Sequence, residues 1–125
     1  VERKYTNIKA KNVRFNTSCE IKIEKILLKN NINYEKQWVV YDRKNKRCRF
    51  YDFYLPDFNI LLEVDGCYWH CKPSKYSAEY IHPYMKTTAE EIWKRDKYKN
   101  FVAKDNGYKI VRVWEDEIDE KWTIY

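Results

Sequence analysis

Between Thr17 and Lys29, apolar residues recur at helical spacing. Cys19, Ile23, Ile26 and Leu27 make one stripe among Lys and Glu residues. The stripe predicts an amphipathic helix, opened by Thr17-Ser18-Cys19-Glu20 and ended by Asn30-Asn31. Downstream the period changes. Tyr34 to Tyr41 reads as a strand; Phe50 to Leu55 and Ile60 to Asp65 read as two more, rich in aromatic and aliphatic residues and joined by Pro56-Asp57-Phe58-Asn59. Lys72 to Lys86 contains Pro73 and Pro83, follows neither period, and reads as an ordered loop or flap. Thr87-Thr88 followed by Glu90-Glu91 is a capping signature for a second helix to about Asn106, which Gly107 can terminate. Tyr108 to Trp114 is a further strand, and Glu115 onward predicts a short last helix. The order α-β-β-β-α-β-α implies an α/β fold, a mixed sheet with helices on its faces. Residues 1–16 are polar and basic and read as an arm or linker ahead of one domain spanning 17–125.

The strand pattern contains an anomaly. If Leu55 pairs with Ile60, then Tyr54 faces Leu61, Phe53 faces Leu62 and Asp52 faces Glu63, and Asp65 shares the face of Glu63. Phe53, Leu62 and Val64 make the opposite face, while Phe50, Tyr54 and Leu61 lie on the acidic one. Both faces are therefore apolar at most positions, as in a sheet covered on both sides. Like charges opposed across strands are destabilising. Three such acids call for something to offset their repulsion, and a hard divalent cation is the obvious candidate. A solvated acidic face is the plainer alternative. Taken alone, Glu20 reads as the fourth member of a Thr-x-x-Glu capping box, yet it shares the inward face of Ile23 and Leu27. Asp96, a turn beyond Ile92, would alone be a surface ion-pair partner. His70 leaves the acidic strand after Gly66-Cys67-Tyr68-Trp69, placed to act as general acid or base. His82 carries no comparable argument.

Composition adds a partner class. The chain has 125 residues, 44% hydrophobic and 18% aromatic, enough for a proper core. Its net charge is +6 and its pI about 9.0, and a basic surface around an acidic pocket suits a polyanion held near a metal. Lys46, Arg47 and Arg49 fall in one basic cluster, Lys94 and Arg95 in another; each is equally open to reading as solubilising charge. No apolar run approaches the roughly 18 residues of a membrane helix, and no leader-like N-terminus argues for secretion. Four cysteines, Cys19, Cys48, Cys67 and Cys71, match no small secreted scaffold. They are expected to be reduced, as in cytoplasm. Cys67-x-x-x-Cys71 beside His70 hints at zinc, but no second Cys/His pair completes four ligands, so structural Zn²⁺ is not expected.

From Glu20 to about Ile118, these residues together resemble the very-short-patch repair (Vsr-type) branch of the PD-(D/E)xK nucleases. They are especially similar to the related phage homing endonucleases with a Glu-Asp-x-His-Asp signature. The matching positions are Glu20 in the first helix, Asp52 in the core strand, Asp65-Gly66-Cys67-Tyr68-Trp69-His70, Arg95-Asp96 in the second helix, and the closing strand Gly107 to Glu115. The resemblance implies a restriction-endonuclease-like α/β/α core and Mg²⁺-dependent (or Mn²⁺-dependent) hydrolysis of double-stranded DNA in a phage- or bacterium-like host. It implies catalytic roles for Glu20, Asp52, Asp65, His70 and Asp96, with Asp52, Glu63 and Asp65 at the metal. Lys46, Arg47, Arg49, Lys94 and Arg95 would meet DNA. Tyr68 and Trp69 would pack against or between bases, unless both are core aromatics. Asp65 stands where the repair enzymes have histidine and the wider superfamily its lysine, which leaves His70 in the lysine's place. A mismatch-directed nicking enzyme and a non-catalytic DNA-binding module are the alternatives on the same fold.

Overall fold

A computed structural model describes residues 18–119 and 121–124; the predicted arm, 1–16, and the Thr17 cap lie outside them. The elements follow the predicted order: α1 (Ser18–Lys29), β1 (Glu35–Asp42), β2 (Arg47–Leu55), β3 (Ile60–Asp65), α2 (Ala89–Asp105) and β4 (Lys109–Trp114). The expected last helix is a single 3₁₀ turn, Glu115–Glu117. α2 begins as its sequence predicts, with the Thr88 hydroxyl accepting the Glu91 N–H at 3.2 Å. After its last turn Gly107 takes a φ of +89°, which a β-carbon would strain.

The sheet order is β1-β2-β3-β4, antiparallel except for the parallel pair β3–β4 that α2 connects. Adjacent leucines show its two covered faces. Leu62 packs with Phe53, Leu55 and Val113 against Ile23 and Leu27 of α1, whereas Leu61 packs with Trp38, Val40 and Tyr51 against Val102 and Ala103 of α2. A smaller third cluster of Cys71, Ala89 and Ile92, with Tyr76, Tyr80 and Trp93 against it, fixes the segment between β3 and α2. That segment is the expected ordered loop, tied down by the Trp93 indole N–H on the Cys71 carbonyl at 2.7 Å.

Alternation along β2 breaks at Asp52. Tyr51 and Phe53, two residues apart, should share a face; instead Tyr51 joins the α2 side and Phe53 the α1 side. The β1–β2 ladder runs Lys36↔Phe53 and then Trp38↔Tyr51, passing over Gln37 and Asp52. Gln37 is buried with a φ of +52°, a conformation costly for a non-glycine residue. The expectation of one acidic face through Asp52, Glu63 and Asp65 is thereby corrected. β2 turns over at Asp52, so that residue sits between the two faces.

Candidate active site

Three ladder pairs between β2 and β3, Leu55↔Ile60, Tyr54↔Leu61 and Phe53↔Leu62, keep the predicted register. At the next position side chains replace the ladder. The Asp52 N–H donates to Glu63 Oε1 at 2.8 Å, and the Val64 N–H donates to Asp52 Oδ2 at 2.8 Å. The two carboxylates thus satisfy amides of the opposite strand where the strands part.

The offset for the remaining acids comes from two cations of this chain. Lys99 of α2 donates to Glu63 Oε2 at 2.6 Å and to the Phe50 carbonyl at 2.5 Å. Arg112, opposite Glu63 on β4, donates from Nη1 to both oxygens of buried Asp65 at 2.8 and 3.0 Å. It also holds Asn100 Oδ1 at 2.6 Å and the Asp96 carbonyl at 3.3 Å. Neither residue was singled out as a site residue from sequence. Arg112 carried a signal, as the lone cation inside the apolar run Ile110 to Val113. Lys99 carried one too, a single turn from Asp96 on α2.

His70 hangs from the turn after β3, its N–H on the Gly66 carbonyl. Its Nδ1 lies 2.8 Å from Asp96 Oδ2 and its Nε2 3.7 Å from Asp65 Oδ1. Burial pushes the imidazole's pKa down, but the Asp96 hydrogen bond and the charges of Asp65 and Asp96 outweigh it and hold the ring above its ordinary value. Asp65 is raised by burial despite His70 and Arg112.

Beside this triad lies a cleft of about 350 Å³, lined by Cys19, Glu20, Val64, Trp69, His70 and Glu115 among others. Glu20 is buried, which favours the inward reading of that residue. Asp52 is held well above the usual carboxylate range by burial, then by the charges of Glu63 and Glu20. Glu115, read from sequence only as the junction of the closing strand and the last helix, accepts the Cys67 N–H at 2.8 Å and the Cys19 thiol at 3.2 Å, which lowers its pKa. Among the described residues no group of three or more His, Cys, Asp or Glu side chains forms a ready ligand shell. The repulsion between Asp52 and Glu20 is nonetheless what a hard divalent cation would relieve, and two carboxylates are the donors it prefers.

The remaining candidates separate by environment. Tyr68 and Trp69 are 38% and 42% exposed, so both stand at the surface rather than in the core. Both rings lie against His82, which is fully buried, and the Trp69 ring also meets that of Tyr84. His82 Nδ1 accepts the Tyr84 and Met85 N–H groups at 3.2 and 3.0 Å, so His82, without a role from sequence, organises the aromatic surface. Lys46, Arg47, Lys94 and Arg95 are exposed. Arg49 is not free for a ligand: it is turned inward on Asp42 at 3.0 Å and stacked 5.3 Å from the Tyr98 ring. All four cysteines are free thiols, and burial raises the pKa of Cys19, Cys67 and Cys71. No helix among the described residues is long and apolar enough to cross a membrane. Searches of protein-family models and of curated proteins find no match to this chain.

Proposed function

We propose that this chain is the catalytic domain of a Mg²⁺-dependent (or Mn²⁺-dependent) DNA endonuclease of the homing type, on a restriction-endonuclease-like core. The observation that carries the reading is the gathering of Glu20, Asp52 and the His70–Asp96 pair from four separate elements around one end of the parallel strands. In open α/β sheets, ligands bind outside the carboxyl ends of such strands.

In this reading Asp52 and Glu20 hold the metal. Glu63 and Asp65, engaged by Lys99 and Arg112, hold the geometry: Glu63 fixes the Asp52 backbone and Asp65 faces His70. The metal, when bound, supplies polarisation of the scissile phosphate and a lower pKa for the attacking water. His70 moves the proton. Asp96 at Nδ1 keeps Nε2 directed away from α2 and stabilises the imidazolium, and the upward pKa shift favours the protonated ring. The role that follows is general acid, delivering a proton from Nε2 to the leaving oxygen.

Substitution Asp52→Asn should abolish metal-dependent cleavage of plasmid and long phage-type DNA, assayed with Mg²⁺ and with EDTA, while circular dichroism stays unchanged. A fully active folded variant sinks the proposal. The exposed Tyr68–Trp69–Tyr84 surface favours a second reading, a mismatch-directed nicking enzyme, because aromatic wedges enter unstacked steps most easily. Faster nicking of mismatched than of matched duplexes would select it.

A further inference from the structure

The β1–β2 hairpin carries Arg43, Lys44, Lys46 and Arg47, all exposed. Among the described residues only Arg43 of these is ion-paired, to Asp105 at 3.9 Å. Such a run of like charge ordinarily repels itself and frays. Here it is built on buried Asp42, which accepts from the Asn45 N–H at 3.2 Å, Asn45 Nδ2 at 3.1 Å, Arg49 Nε and Nη2 at 3.2 and 3.0 Å, and the Tyr98 hydroxyl at 2.9 Å. Despite burial, these donors hold the Asp42 carboxyl down at about 2. Lys44 and Arg49 lie 5.9 and 5.3 Å from the Tyr98 ring, joining the hairpin to α2. The result is a rigid, two-stranded basic ribbon whose one acidic residue at the turn is internal. A ribbon of that width fits the roughly 12 Å major groove.

α2 relates this ribbon to the cleavage site. Asp96 meets His70, and Asp105 meets Arg43. The two helix positions are roughly 13 Å apart at ~1.5 Å per residue, about four nucleotides of axial rise along duplex DNA at ~3.4 Å each. Lys97 and Lys104 are exposed on the helix between them. We propose that the β1–β2 hairpin grips the duplex on one flank of the cut, with Arg43, Lys44, Lys46 and Arg47 on phosphates about four to six nucleotides from the scissile bond. The proposal rests on the nuclease reading and adds a direction to it: the enzyme covers more DNA on one side of its cut than on the other.

The test is hydroxyl-radical footprinting of the full chain, with EDTA present, on a duplex whose cut position has been mapped, together with a salt titration of affinity. In the variant with Arg43→Gln, Lys44→Gln, Lys46→Gln and Arg47→Gln, protection should recede by about four to six nucleotides on one flank only. The slope of log affinity against log salt should fall by about three to four, at ~0.9 per lost phosphate contact. If the fourfold variant fails to fold, Lys46→Gln with Arg47→Gln is read the same way, with a slope change of about two. An unchanged footprint and slope in a chain that still binds and cuts overturns the hairpin assignment alone. So does an equal recession on both flanks, or an equal loss on single-stranded DNA. A wild-type chain that neither binds duplex nor cuts refutes the nuclease reading instead.

Discussion

Asp52 is the residue whose chemistry and stability pull in opposite directions. Its carboxyl is raised by burial and by the charges of Glu63 and Glu20. A raised carboxyl favours the protonated folded state, so its ionisation costs stability as pH climbs from the unfolded carboxylate value through the folded one. Asn keeps an oxygen to accept the Val64 N–H but carries no charge. Asp52→Asn should therefore be more stable than the native protein at neutral pH by about 1 kcal/mol. That corresponds to a melting temperature about 4 °C higher, read by thermal denaturation. An unchanged or lower value would contradict the repulsion argued here. His70 runs the other way. Its folded pKa lies above the ordinary 6.5, so its stabilising contribution is full below that value and is lost as pH rises through the folded one. Asp96→Asn removes the largest of the effects that raise the ring. The alkaline limb of the cleavage profile should then move to lower pH, in step with the His70 resonance in an NMR titration; an unmoved limb would remove His70 from proton transfer.

At the scale of elements, α2 decides the site. Its inward face is apolar at Ile92, Val102 and Ala103 and polar between, where Asp96, Lys99 and Asn100 meet the acids of β3 and the arginine of β4. Lys99→Met would leave buried Glu63, among the described residues, with the Asp52 N–H and only one cation, the more distant Arg112 3.9 Å away. Breaking one partner of a buried pair costs about 3 kcal/mol, and Glu63→Gln on the same background should restore much of it. Chemical denaturation of the two single variants and the double one measures this; additive losses would show that the pair is not coupled. The elements were largely legible beforehand, because helical stripes, the Thr88 capping box and the β2–β3 turn are local signals. Which carboxylate meets which cation was not. Lys99 and Arg112 reach Glu63 and Asp65 only after α2 crosses the sheet, and spacing along the chain does not encode that crossing. The turnover of β2 at Asp52 was hidden for a related reason. It depends on Gln37 in another strand, and nothing in the composition of either strand marks a left-handed residue there.

For the whole molecule, an acidic cleft within a chain of net charge +6 would tie the proposed metal to the fold. A cation that binds only the folded state adds stability by mass action. Mg²⁺ should raise the melting temperature of the native chain relative to EDTA. The rise should vanish in Asp52→Asn, whose baseline already lies higher. A rise of equal size in both would place the metal elsewhere.

The left-handed residue at Gln37 has one more consequence, for strand register. A strand that alternates without a break can slip along its partner by one residue, and that slip turns every side chain to the opposite face. The step at which Gln37 and Asp52 are passed over, between Lys36↔Phe53 and Trp38↔Tyr51, gives β1 and β2 a landmark that a slipped pairing would misplace. The irregularity that turns Asp52 between the sheet's two faces also favours one alignment of the two strands over its neighbours.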